Sequence, residues 1–178
     1  TITSDMFTKD SNMLMRLEAK NHWGSLAIGF GQTNQKIRVY KNSLVDALIS
    51  DYKESHDGYA VVWGRVLDKD GEPIAGAKVE LAGDLAVGPL YFNKAHLIDN
   101  QLQQTNGDGL FAFVKVLPGL QAIRATVNGS ELPIELTVAD NEHVSYVEVK
   151  QTAMKHITLK SFDKISISLI VRCTPKQS

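Results

Sequence analysis

The stretch VVWGRVLDKDGEPIAGAKVEL, residues 61–81, decides the fold, because two apolar strand patterns flank a turn built on Asp68, Gly71 and Pro73. In its second half Ala77, Val79 and Leu81 alternate with Lys78 and Glu80, the period-two pattern of a strand with one buried face. YAVVWGRVLD, from Tyr59, reads as the preceding strand and DKDGEPIAG as the reversal, together a hairpin-like opening. Further on, TNGDGLFAFVKVLPGLQAIRATV, residues 105–127, repeats this grammar. An Asn-Gly-Asp-Gly turn leads into Phe111 and Phe113, and Leu117-Pro118-Gly119 breaks the chain before Ile123, Ala125 and Val127. LPIELTV and HVSYVEVK add two short strands, the latter with Val144, Tyr146 and Val149 as its apolar contacts. Short strands punctuated by Gly and Pro turns favour a sandwich.

Taken in order, these elements resemble the carboxypeptidase regulatory-like module over about residues 59–150. That family's pattern is a Gly-containing first strand, a DxxGxPIxGAxV turn and strand, a T-x-x-x-G-x-F hairpin and a PG turn before a strand. Gly64, Gly71, Pro73, Gly76, Ala77, Val79, Thr105, Gly109, Phe111, Pro118 and Gly119 occupy those places. The resemblance implies a mainly β fold, an antiparallel Greek-key sandwich of prealbumin-like type. It further implies a structural or interaction part of a secreted or cell-envelope assembly, not a reaction.

Outside the module, MLMRLEAK, residues 13–20, reads as a half-buried strand, and SLAIGFG with KIRVY reads as a hairpin through the turn residues QTNQ. Periodicity then changes: Leu44, Val45, Leu48, Ile49 and Tyr52 recur at helical spacing, and Ser43 with Asp46 has the spacing of a capping box. This predicts a helix over about residues 43–53, ending before ESHDG, where Gly58 supplies a turn. In the tail, Ile157 and Leu159 and then Ile165, Ile167, Leu169 and Val171 alternate with polar residues, predicting a hairpin around Ser161, Phe162 and Asp163. The expected organisation is an N-terminal segment (1–57), the sandwich (58–150) and a C-terminal hairpin (151–178) that packs with the N-terminal strands.

One segment exceeds what a connection needs. GDLAVGPLYFNKAHLIDNQLQQ, between the second strand and Thr105, carries Leu90, Tyr91, Phe92, Leu97 and Ile98. Long inserted loops in compact domains are often functional. Tyr91, Phe92, Asn93 and His96 are the candidate binding site, and the competing reading is another strand burying the same apolar side chains. Trp23, Trp63, Tyr91 and Phe92 are also the aromatic platforms of a carbohydrate-binding alternative, although Trp63, inside an apolar strand, reads as core.

Chemistry is sparse elsewhere. Nineteen Lys and Arg against twenty Asp and Glu leave a net charge of −1, which offers no attraction to nucleic acid, while 43% hydrophobic residues suffice for a core. No apolar run approaches the roughly 20 residues of a membrane span, and residues 1–20 lack a signal-peptide profile. Thr1 fits both an excised initiator methionine and a removed export signal. The single Cys173 excludes an internal disulfide framework. His22, His56, His96, His143 and His156 lack the short paired spacing of metal ligands, so only a fold that converges them makes a site. Asp68, Asp70 and Glu72 lack EF-hand order and read, like Asn106-Gly107-Asp108-Gly109, as a solvated turn. No nucleophile elbow, phosphate loop or metalloprotease motif is present, and the last residues read CTPKQS where hydroxyisourate hydrolases, of related fold, carry Tyr-Arg-Gly-Ser. The expectation is a non-enzymatic module without cofactor or metal, engaging a protein partner or a second copy; a hydrolase with an unfamiliar site is the remaining alternative.

Overall fold

The computed structural model describes residues 12–30, 38–55, 60–83, 86–151, 154–159 and 167–172. Gly58, Ser161, Phe162, Asp163 and Cys173, on which several expectations rest, lie outside these. In chain order the elements are β1 (Asn12–Leu17), β2 (His22–Phe30), β3 (Tyr40–Lys41), α1 (Asn42–Ile49), a 3-10 segment (Ser50–Ser55), β4 (Ala60–Leu67), β5 (Ala77–Leu81) and β6 (Val87–Tyr91). They continue with β7 (Leu110–Val116), β8 (Gly119–Val127), β9 (Ser130–Glu131), β10 (Glu135–Ala139), β11 (His143–Lys150), β12 (Met154–Leu159) and β13 (Ile167–Arg172).

The fold is mainly β. A larger sheet has the order β1-β2-β11-β4-β7-β6, with β3 paired to β2, and a smaller one has the order β10-β8-β5, with β9 paired to β8. In the larger sheet β11 runs parallel to both neighbours, β2 and β4, while β4, β7 and β6 are antiparallel. The N-terminal strands therefore extend the larger sheet through β11. Among the described residues β12 and β13 pair only with each other.

Alternation along each strand of the larger sheet divides its side chains between two apolar layers. Val62 and Val66, Phe111 and Phe113, and Val147 and Val149 face the smaller sheet, where they meet Ala77, Val79, Ile123 and Ala125. Val61 and Trp63, Ala112 and Val114, and Val144 face the other way and are covered by Val45, Leu48 and Ile49 of α1. Both faces of the larger sheet are thus buried, which is why its central strands read as near-continuous apolar runs.

Two local expectations are corrected. The reversal after β4 does not close a hairpin: Asp68 to Gly76 carries the chain from the larger sheet to the smaller one, where β5 pairs with β8. Nor do Ser43 and Asp46 form a capping box. Lys41 is the N-cap and makes no side-chain cap, because the helix leaves directly from β3, and the amide of Asn42 donates to the carbonyl of Asn21 at 3.1 Å. Ser43 lies inside the helix, and Asp46 instead accepts from the Trp23 indole N–H at 3.3 Å. The α-helix stops at Ile49 and continues as the 3-10 segment, with Tyr52 outside helical geometry.

Several residues at the reversals meet a steric or hydrogen-bonding need. Asp68 Oδ1 accepts from the amides of Asp70 and Glu72 at 2.8 and 2.9 Å, folding the turn around Gly71, whose φ is +88°. Thr105 Oγ1 donates to the carbonyl of Ile74 at 2.8 Å and accepts from the amide of Ala77 at 3.0 Å, fixing the start of β5. Gly109 has φ +65°, and a Cβ there would stand 2.5 Å from the carbonyl oxygen of Val66.

Those backbone donors hold the Asp68 carboxyl below its ordinary range, the Glu72 amide first among them. A depressed folded-state pKa contributes stability that is present above the unfolded value of about 3.9 and is lost as pH falls through the folded one. Urea unfolding followed from pH 6 to pH 2 is therefore expected to show an acid loss that Asp68→Asn reduces. Identical pH dependence in the two proteins would exclude that contribution.

Candidate functional site

The structure separates the four candidate residues of the insert. Tyr91 and Phe92 are only 3% and 2% exposed, and they point to opposite sides of the larger sheet. Tyr91 lies in the layer between the sheets, where its hydroxyl accepts from the Val79 amide of β5 at 3.0 Å and so ties the two sheets together. Burial pushes the phenol pKa up, partly offset by that amide. Phe92 stacks on Trp63, which stacks on Tyr40, with both ring pairs 5.2 Å apart between centroids and interplanar angles of 11° and 15°. Burial drives the Tyr40 phenol pKa strongly upward as well.

These rings are core, so the binding expectation for Tyr91 and Phe92 is corrected, and the carbohydrate alternative loses its main platforms. The insert is the additional strand β6, paired to β7 and followed by a Phe92–Ile98 bridge. Asn93 organises the turn within that bridge, its Oδ1 accepting from the amides of Ala95 and Leu97 at 2.9 and 3.1 Å. His96 is exposed at φ +59°, and its Nε2 lies 3.1 Å from Asp108 Oδ2, linking the insert to the Asn-Gly-Asp-Gly turn. Asn93 and His96 thus fasten the loop to the sandwich.

A different place gathers more polar chemistry. Where β2 meets β11, the fold opens a solvent-facing cleft of about 500 Å³ lined by Glu18, Ala19, Lys20, His22, Gly24, Glu142 and His143. The parallel register sets His143 beside Gly24, two residues from His22 on the same face of β2. Gly24 leaves the space that the His143 ring occupies, since a Cβ there would stand 2.5 Å from Cδ2 and 2.6 Å from Nε2.

Both imidazoles are oriented by backbone carbonyls. Nδ1 of His143 is 2.6 Å from the Asn141 carbonyl and Nδ1 of His22 is 2.9 Å from the Lys20 carbonyl. A carbonyl oxygen only accepts, so each Nδ1 carries the proton, and in the neutral ring each Nε2 presents a lone pair. His143 is 8% exposed and its Nε2 has no partner. The ion pair between Arg16 and Asp140 anchors the preceding turn to β1. Among the described residues, no three of His, Cys, Asp and Glu are gathered closely enough to hold a metal ion.

No short spacing in the sequence marks this cleft, because His22 belongs to the N-terminal segment and His143 to the last strand of the sandwich segment, and the β2–β11 pairing is what brings their strands together. No family model and no curated protein matches the chain.

Proposed function

We propose that the chain is a non-catalytic sandwich module of carboxypeptidase regulatory-like, prealbumin-like type that works by holding another protein, in a secreted or cell-envelope setting. The observation that carries the reading is an apolar block on the solvent face of the smaller sheet. Leu120 pairs with Val138, and Ala122 with Leu136, so the four side chains share one face, with Leu120 and Leu136 66% and 53% exposed. Contiguous exposed apolar surface of this kind is a common mark of protein contact. Strand β10, last in the strand order of the smaller sheet, borders the block. Support for the Greek-key prealbumin type comes from the two-sheet arrangement and from the steric needs that Gly64, Gly109 and Thr105 meet in it.

The test is light scattering during gel filtration, with pull-down from source extract, on the wild type and on Leu120→Glu/Leu136→Glu. Surface substitutions of this type shift stability by about 0.5 kcal/mol or less, so the double variant is expected to keep its fold and lose self-association or its captured partner. A wild type that is strictly monomeric and captures nothing would remove the proposal, as would unchanged association in the variant.

A further inference from the structure

We infer that Asn128 is a self-modification site, where the folded chain converts asparagine to aspartate and isoaspartate while it shields the chemically equivalent Asn106. Asn106-Gly107 and Asn128-Gly129 are the two Asn-Gly pairs of the sequence. In such a pair the glycine amide nitrogen attacks the asparagine Cγ, since glycine has no side chain to obstruct the approach. The new N–Cγ bond closes a succinimide ring, the Cγ–Nδ2 bond breaks, and Nδ2 leaves as ammonia with the proton that the glycine amide gives up. Water, the sole co-reactant, then opens the ring at either carbonyl to give aspartate or isoaspartate.

The fold separates the two pairs. Asn106 is restrained: its Oδ1 accepts from the Asp108 amide at 2.8 Å, its carbonyl accepts from the Gly109 amide at 3.0 Å, and its Nδ2 is buried. The same turn is clamped from outside, because the Gly109 carbonyl accepts from the Val66 amide at 2.9 Å and Asp108 pairs with His96. Asn128 has no such restraints. Val127 pairs with Ser130, so Asn128 and Gly129 are the whole loop between β8 and β9, with φ +50° and +80°, the pattern of a type I′ turn. Both residues are exposed, the Asn128 side chain makes no hydrogen bond among the described residues, and nothing lies within 4 Å of where a Gly129 Cβ would stand.

Ring closure needs an extended backbone at Asn128, so the turn has to open first. β9 is two exposed residues long and pairs only as Thr126–Glu131 and Val127–Ser130. Opening there is local, and local openings cost far less than global unfolding. The buried Leu132, whose amide donates to the Ala125 carbonyl at 2.8 Å, holds the chain just beyond it. Isoaspartate routes the main chain through its β-carbon, adding a backbone atom to the loop, and either product puts a carboxylate close to Glu131. The inference is independent of the protein-holding role, since Asn128 follows the opposite end of β8 from Leu120.

The test incubates the full chain at mildly alkaline pH, native and in urea, with peptide mass mapping of both pairs and isoaspartate counted by an isoaspartyl methyltransferase. In urea the two asparagines are expected to react at similar rates. In the native protein Asn128 is expected to react at least about tenfold faster than Asn106, which has two hydrogen bonds to break. Folded Asn128→Gln, checked by circular dichroism, is expected to lose most of the native isoaspartate. Equal native rates at the two sites would overturn the inference, as would a native Asn128 that stays intact while both react in urea. Unchanged isoaspartate in folded Asn128→Gln would overturn it too, by assigning the product to other residues.

Discussion

Replacing Phe111 by alanine is expected to lower the unfolding free energy by about 3–5 kcal/mol, the usual cost of emptying a buried aromatic position, and to make Gly64→Ala far less damaging than it is alone. Phe111 is fully buried in the layer between the sheets, edge-to-face with Phe113 at 6.0 Å between centroids. Gly64 lies opposite it in the β4–β7 register. A Cβ on Gly64 would stand 2.8 Å from both ε carbons of the ring and closer still to Cζ, so the ring occupies the space a side chain would take. Gly64 does not have a positive φ, so alanine there suffers from crowding and not from backbone strain. Overpacking a core of this density costs about 1–3 kcal/mol. Once the ring is gone the crowding has no source, and the double variant should fall short of the sum by a coupling of roughly 0.5–3 kcal/mol. Urea unfolding of the four proteins measures the cycle. Additive losses would mean that glycine serves the strand for some reason other than the ring.

That pair also shows what is legible in one sequence. Turn chemistry is local, so Asp68, Gly71, Thr105 and Gly109 mark reversals that the structure places where the spacing predicts. Which strand pairs with which is not local. The pattern from Ala77 to Leu81 is the same whether β5 lies beside β4 or in the opposite sheet, so the crossover after Leu67 has the local signature of a hairpin-like opening. The insert was ambiguous for a related reason. Leu90, Tyr91 and Phe92 form an unbroken apolar run, which suggests an exposed patch if only one face of the sheet is buried. Here both faces are covered, by the smaller sheet and by α1, and the run alternates between the two layers. The histidine cleft left no local signal, because the parallel pairing of β2 with β11 creates it.

The same two-sided burial gives the second large effect. Phe92→Ala and Trp63→Ala are each expected to cost about 3–5 kcal/mol, or roughly 10 °C in melting temperature for a chain of this size. Phe92 and Trp63 lie in the layer under α1, together with Val45, Leu48 and Ile49 of the helix itself. The stack with Tyr40 adds contact energy of about 0.5–1.5 kcal/mol per aromatic pair beyond area burial. Removing either ring opens a void that Ala112, on the facing strand, is too small to fill. Loss of the layer should also loosen α1, whose eight residues are too few to hold a helix without tertiary contacts. Thermal melting read by far-UV and near-UV circular dichroism separates the cases: a core role lowers the midpoint steeply and weakens the aromatic signal of the folded state. An exposed sugar platform would instead leave the midpoint within about 1 °C, since surface changes seldom exceed 0.5 kcal/mol. An unshifted midpoint in Phe92→Ala would return that ring to the surface as a platform for the carbohydrate-binding reading.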